Sequence, residues 1–143
     1  MFNRILILLV TALFVSACAA NGNNPTASRT TSVGNVLTDK EGMTLYIFTR
    51  DTAGVSNCAG NCAVNWPPFM AEEGATGSGK FSVITRGDGA RQWAYDGMPL
   101  YYWVGDTQPG DTNGQGVNDV WFVVEVEAKS TESRTTSSGS YGY

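Results

Sequence analysis

The chain has three cysteines and no histidine among its 143 residues, and this bounds the chemistry it can carry. Without imidazole there is no Ser-His or Cys-His nucleophile pair, no histidine metal ligand and no Cys-x-x-Cys-His haem attachment. A hydrolase would have to rest on carboxylates, and Asp51 and Asp106 are the pair placed to supply them. Both end equivalent strands, so the expectation is that they close the following turns by accepting backbone N–H groups. A second carboxylate-bearing segment, from Asp111 to Asp119, sets Asp111, Asn113, Gln115 and Asp119 at positions 1, 3, 5 and 9 of a calcium-type loop with Gly116 at position 6. Position 12, which needs a bidentate Glu, is Phe122, so a turn between strands is the better reading.

The first cysteine belongs to targeting. Met1 to Arg4 forms a short basic start, and Ile5 to Val15 is an apolar run too short for the roughly 20 residues of a membrane-spanning helix. The run ends in Val15-Ser16-Ala17-Cys18, which resembles the lipobox of bacterial lipoproteins. The resemblance implies that residues 1–17 are a signal peptide and that Cys18 is acylated, palmitate included, so that the chain is membrane-bound through lipid. Ala19 lacks the acidic character that holds lipoproteins in the inner membrane, which favours the outer membrane in a cell that has two. Cleavage removes one basic residue, Arg4, and takes the formal charge from −4 to −5. An acidic chain without a basic patch is a poor partner for nucleic acid.

Export leaves Cys58 and Cys62 as a pair in an oxidising compartment, where a disulfide is the default. Residues four apart on a regular helix are too far apart to bridge, so Gly60 and Asn61 should form a tight turn. Redox activity of the pair and a Cu(I) thiolate site completed by Met43, Met70 or Met98 are the alternatives. Zinc fits poorly with two sulfurs and no histidine. No cofactor is expected, with copper and calcium as the minor possibilities.

These residues need elements to hold them. Residues 18–35 read as the lipidated cysteine and a polar tether that sets the domain a few nanometres from the bilayer. Residues 129–143 read as a disordered tail. Between them, residues 36–128 show no helical period. Aromatic and β-branched runs at Met43 to Phe48, Phe81 to Thr85, Gln92 to Tyr95, Pro99 to Val104 and Val120 to Val126 are separated by Gly, Asn, Asp and Pro. The fold class is therefore all-β, a small antiparallel domain with one short helix near the cysteines. Asp88-Gly89 marks a hairpin between Phe81 to Thr85 and Arg91 to Tyr95.

An internal repeat organises the domain. Gly42 to Asp51 matches Gly97 to Asp106 at an offset of 55, and Trp66 falls on Trp121, giving repeat units of about 42–66 and 97–121. Two copies imply approximate two-fold symmetry. Alternation puts Leu and Ile or Tyr on one strand face and Tyr with Phe or Trp on the other; neither face is charged, so both should be covered. A minority of the aromatics, such as Trp93, Tyr102 or Trp103, could line a groove for an aromatic or sugar-like ligand or relay electrons.

The paired pattern Tyr46-x-Phe48-x-x-Asp51 and Tyr101-x-Trp103-x-x-Asp106, with Cys58-Ala-Gly-Asn-Cys62 and Trp66-Pro67-Pro68, resembles the bacterial predicted lipoproteins described as secreted repeats of unknown function. The likeness runs from about Leu37 to Val124 and implies little about activity, although an electron-transfer role has been suggested for some members. The resulting expectation is a monomeric, non-enzymatic envelope lipoprotein acting as a binding or structural module toward a small molecule or an envelope protein. The alternative is an extracytoplasmic redox or copper-handling protein using Cys58 and Cys62.

Overall fold

The computed structural model describes residues 24–127. Residues 1–23, with the expected signal peptide and Cys18, and residues 128–143, with the expected tail, lie outside the described residues. Among the described residues seven strands occur in the order β1 (Thr26–Thr31), β2 (Gly34–Asp39), β3 (Tyr46–Phe48), β4 (Phe81–Thr85), β5 (Arg91–Tyr95), β6 (Met98–Pro99) and β7 (Trp121–Val123). The one α-helix among the described residues, α1 (Asn61–Asn65), lies at the cysteines, and Val117–Asp119 forms a 3₁₀ turn. All strand pairs are antiparallel: β1 with β2, β3 with β7, and β5 with both β4 and β6.

The tether reading fails over its second half. β1 lies wholly inside residues 18–35 and pairs along its full length with β2, from Thr26 opposite Asp39 to Thr31 opposite Gly34. The segment is polar, but Thr26, Thr30 and Thr31 are β-branched and suit an edge strand whose outer face meets water. Hydrophobicity alone therefore placed the domain boundary too late.

The duplication is deeper than the sequence match. The hairpin β1–β2 recurs as β4–β5, and the short strand β3 recurs as the stretch through Tyr101, which bridges Tyr46. The two tyrosines face each other across the pseudo-two-fold axis. The Tyr46 N–H donates to the Tyr101 carbonyl at 2.8 Å and the Tyr101 N–H returns to the Tyr46 carbonyl at 2.9 Å. Further out, Leu37 N–H donates to the Val124 carbonyl as Trp93 N–H does to that of Phe69, and Leu45 donates to Leu37 as Leu100 does to Trp93. Each repeat thus completes the other's sheet, because Val124 and Phe69 belong to opposite copies.

Alternation along the central strands fills two separate cores, as both uncharged faces required. Leu37, Leu45, Trp93, Leu100 and Val124 form one, flanked by Ile47 and Tyr102. Val36, Tyr46, Trp66, Tyr101, Trp121 and Val123 form the other with the buried Cys58. In this second core Trp66 and Trp121, the equivalent indoles of the two repeats, stack at 3.8 Å between centroids and 3° between planes. Trp103 stacks on the outer face of Trp66 at 4.2 Å and Phe48 on that of Trp121 at 4.3 Å. Tyr46 and Tyr101 meet Trp66 and Trp121 edge-on, at 5.4 and 5.2 Å. The result is a four-ring column through the axis, held by close stacking along the column and by edge-to-face contacts from the two tyrosines.

Candidate functional site

The repeat motif is an interlock. The Tyr46 hydroxyl donates to Asp106 Oδ2 at 2.6 Å, and the Tyr101 hydroxyl donates to Asp51 Oδ2 at 2.7 Å. Each bond joins a tyrosine of one repeat to the aspartate of the other. The second oxygen of each aspartate closes its own loop, as expected: Asp51 Oδ1 accepts the Asn57 N–H at 2.6 Å and Asp106 Oδ1 accepts that of Asn113 at 2.9 Å. Both aspartates are buried. Burial raises the Asp51 carboxyl above its ordinary value, against the lowering effect of Tyr101, Asn57 and Arg86. Burial together with the Asp51 carboxylate pushes the Tyr101 phenol up to about 12, and burial with Asp106 raises Tyr46 further. A phenol held in this way donates a hydrogen bond and stays protonated.

Equivalence of Asn57 with Asn113 shifts the cysteine comparison. Cys58 corresponds to Gly114, one place beyond the Asn113 given by the constant offset, because Asn113 lies seven residues after Asp106 whereas Asn57 lies six after Asp51. At Gly114 a Cβ would come within 2.8 Å of the Tyr46 ring and 2.9 Å of Trp66, so no side chain fits there. The Gly114 N–H instead donates to the Tyr46 hydroxyl at 3.2 Å.

Cys58 and Cys62 are joined by a disulfide with Cα atoms 5.2 Å apart. The tight turn expected of Gly60 and Asn61 is present: Gly60 takes φ +56° and α1 begins immediately after it. Cys58 is fully buried, whereas Cys62 is half-buried at the start of the helix.

Below the bridge the two-fold symmetry breaks. Gln92 occupies the core position that Val36 holds in the first repeat, and both are fully buried. The Gln92 side chain donates to the Leu100 carbonyl at 2.7 Å and accepts from Arg86 Nη1 at 2.6 Å. Arg86 Nη1 also donates to Ser56 Oγ at 2.8 Å, and Nη2 donates to the Cys58 carbonyl at 2.6 Å. Ser56 Oγ lies 2.7 Å from the Tyr101 hydroxyl. With the Tyr101 proton on Asp51, Ser56 must donate, so a one-way chain runs from guanidinium through serine and tyrosine to carboxylate. A buried charge needs bonded donors and a counter-charge nearby; Arg86 places three N–H groups on Ser56, Gln92 and the Cys58 carbonyl, and its Nε lies 3.9 Å from Asp88 Oδ1. Ser56 and Gln92 carry no signal at the level of sequence. Arg86 stands in a hairpin loop where an exposed cation is the ordinary reading.

The calcium-type segment is engaged in its own bonds. Asp111 Oδ2 accepts the N–H groups of Thr107 and Gln108, both at 2.9 Å, which hold its carboxyl below the usual range. Gln115 Oε1 accepts the Val123 N–H at 2.8 Å, and Asn113 Nδ2 donates to the Gly105 carbonyl at 3.3 Å. Asp119 is exposed. Among the described residues, no group of three or more Cys, Asp or Glu side chains is assembled to hold a metal ion.

A surface cleft of about 670 Å³ lies elsewhere, between the open end of the β1–β2 hairpin and the segment that follows Phe69. Trp93, one of the aromatics singled out from the sequence, lines it. Trp103 does not; it belongs to the ring column. Tyr102 packs against the first core, that of Leu37, Leu45, Trp93, Leu100 and Val124, and donates to Asp39 Oδ2 at 3.0 Å.

A family model described as a secreted repeat of unknown function matches residues 27–70 and 82–125. The two matches are offset by 55 and begin with β1 and β4, so the repeat unit includes the hairpins that units of 42–66 and 97–121 omit. The chain belongs to this family of secreted repeats. No curated protein and no solved structure matches it. Among the described residues no helix is long and apolar enough to cross a membrane.

Proposed function

We propose that the protein is a lipid-anchored, non-enzymatic binding module of the cell envelope, tethered through Cys18. The supporting observation is that the repeat motif is consumed by the fold. Tyr46, Asp51, Tyr101 and Asp106 bond to one another across the axis, out of reach of a substrate. Asp51 and Asp106 therefore act as scaffold, and function falls to the features that break the symmetry: the bridged loop, Arg86, and the segment between the repeats. Intact mass of the native protein tests the anchor. A mature N-terminus at Cys18 carrying diacylglyceryl and amide-linked acyl groups is expected, and Cys18→Ala should release the protein from the membrane fraction. An unmodified Cys18 would refute anchoring.

A second reading, as an extracytoplasmic thiol–disulfide protein, draws on the asymmetric burial of the bridge. With Cys58 enclosed and Cys62 half-exposed, an incoming thiolate would attack the Cys62 sulfur and leave Cys58 as the buried leaving group. Exchange with a glutathione buffer through a mixed disulfide at Cys62 would support it. A bridge that stays oxidised below about −300 mV would end it.

A further inference from the structure

The segment from Ala71 to Lys80 lies between the two repeat matches and has no counterpart in the duplication, yet it is held in place. Arg91 reaches across from β5 and donates from Nη1 to the Glu72 carbonyl at 2.7 Å and from Nη2 to the Ala75 carbonyl at 2.5 Å. The Ala71 N–H donates to the Arg91 carbonyl at 3.0 Å, which pins the start of the segment to the same strand. Thus clamped, the segment forms one wall of the cleft, with the end of β2 opposite and Trp93 of the second repeat below.

The lining divides by chemistry. Pro25, Phe69, Met70 and Ala75 supply apolar and aromatic surface, Met70 being half-exposed, and the 7% of Trp93 that stays exposed completes the floor. Around them stand four carboxylates, Asp39, Glu41, Glu72 and Glu73, against one ammonium, Lys40. Asp39 is committed to the Tyr102 hydroxyl and the Met43 N–H, whereas Glu41, Glu72 and Glu73 are exposed at the rim. Acidic rims around an apolar floor attract cations, and an aromatic floor favours an organic cation over a hydrated metal ion. The size lies within the usual range for small-ligand sites.

We infer that this cleft binds a small organic cation, an ammonium on a short aromatic or apolar body, with the body against Phe69 and Trp93 and the charge at the Glu41, Glu72 and Glu73 rim. The inference deepens the binding-module reading and rests on it. The test uses the acylated mature protein, ¹⁵N-labelled, in nonionic detergent, titrated with phenethylammonium, neutral 2-phenylethanol and anionic phenylacetate. Saturable shifts of the Trp93 indole N–H and the Glu72 to Ser78 amides are expected with phenethylammonium. At least about tenfold weaker binding is expected for the alcohol, and none for phenylacetate. The triple variant Glu41→Gln, Glu72→Gln, Glu73→Gln should weaken phenethylammonium by about tenfold or more while leaving amide shifts in both cores unchanged. Equal binding of the alcohol, indifference to the triple variant, shifts mapping outside the cleft, or a response only to a basic peptide would each overturn it. Acylation of Cys18 is read from the same sample, so a failed titration on a properly acylated protein rejects the ligand class and leaves the anchor standing.

Discussion

Tyr101 shows how much one hydroxyl can carry in this fold. Its proton serves Asp51, and its lone pairs receive the donor chain that starts at Arg86. In Tyr101→Phe, Asp51 loses a donor and Ser56 an acceptor inside the protein, and unfolding free energy should fall by about 1–3 kcal/mol in denaturant titration. The same phenol makes a prediction about pH. Its folded value, about 12, lies above the ordinary 10.0, so the stability it contributes is fully present below pH 10 and is lost as pH rises through 12. Two units correspond to about 3 kcal/mol. Melting curves from pH 9 to 12 should therefore steepen in their decline above 10, and Tyr101→Phe should flatten part of that decline. A decline of equal slope in the variant would assign the effect elsewhere. Gly114 makes a complementary case: Gly114→Ala must push against Tyr46 and Trp66, and a loss of about 1–3 kcal/mol is expected from the overpacking. The turn-closing role of both aspartates was legible from their place at strand ends. Their bonds to the opposite tyrosines were not, because a contact across 50 or 60 residues leaves no local trace.

Among the elements, β1 separates what composition can and cannot reveal. The hairpin of β4 and β5 was readable because two runs rich in aromatic and β-branched residues, Phe81 to Thr85 and Arg91 to Tyr95, flank an Asp-Gly turn. β1 has one Ala and no larger apolar residue, so it resembles a linker, yet its six backbone pairings with β2 make it part of the sheet. Truncations separate the two readings. Deleting residues 19–23 should leave the melting temperature within a few degrees of the parent. Deleting 19–31 strips the pairing edge of β2 and should abolish cooperative unfolding by circular dichroism. If Cys18 is the anchor, as proposed, six residues lead from it to Asn24, a span of at most about 20 Å. In the bridged loop, Cys58→Ala with Cys62→Ala should cost about 2 kcal/mol, the chain-entropy value for so small a ring, and leave the fold intact. The second repeat, with Gly114 in place of Cys58, already folds its loop without a bridge.

At the level of the whole molecule, the duplication is an exchange. Phe69 of the first copy completes the second copy's sheet, Val124 does the converse, and Trp66 finds both its stacking partners, Trp121 and Trp103, in the second copy. A fragment ending at Lys80 would expose the inner face of Trp66, the acceptor side of Tyr46 and the edge of β2. Residues 24–80 alone should therefore lack the sigmoidal melt and near-ultraviolet dichroism of the whole. Mixing them with residues 81–127 should restore both at equimolar ratio. Failure to complement would show that the connecting segment does more than link. The repeat period and the pseudo-symmetry were visible in the sequence as a constant offset of 55. What broke the symmetry was not visible, since Gln92 for Val36 and the shift that pairs Cys58 with Gly114 appear only once the loops are superposed.

The four tryptophans are divided unequally between two optical environments. Trp66, Trp103 and Trp121 share one stack, so excitation of any of them is delocalised or passed on within it. Trp93 stands apart from that stack, in the other core and at the cleft. The stacked indoles should give a coupled dichroic band that vanishes when the column opens, while Trp93 emits on its own account. The chain thus carries two built-in gauges, one for the integrity of the column and one for events at the cleft, and Trp93→Phe would silence only the second.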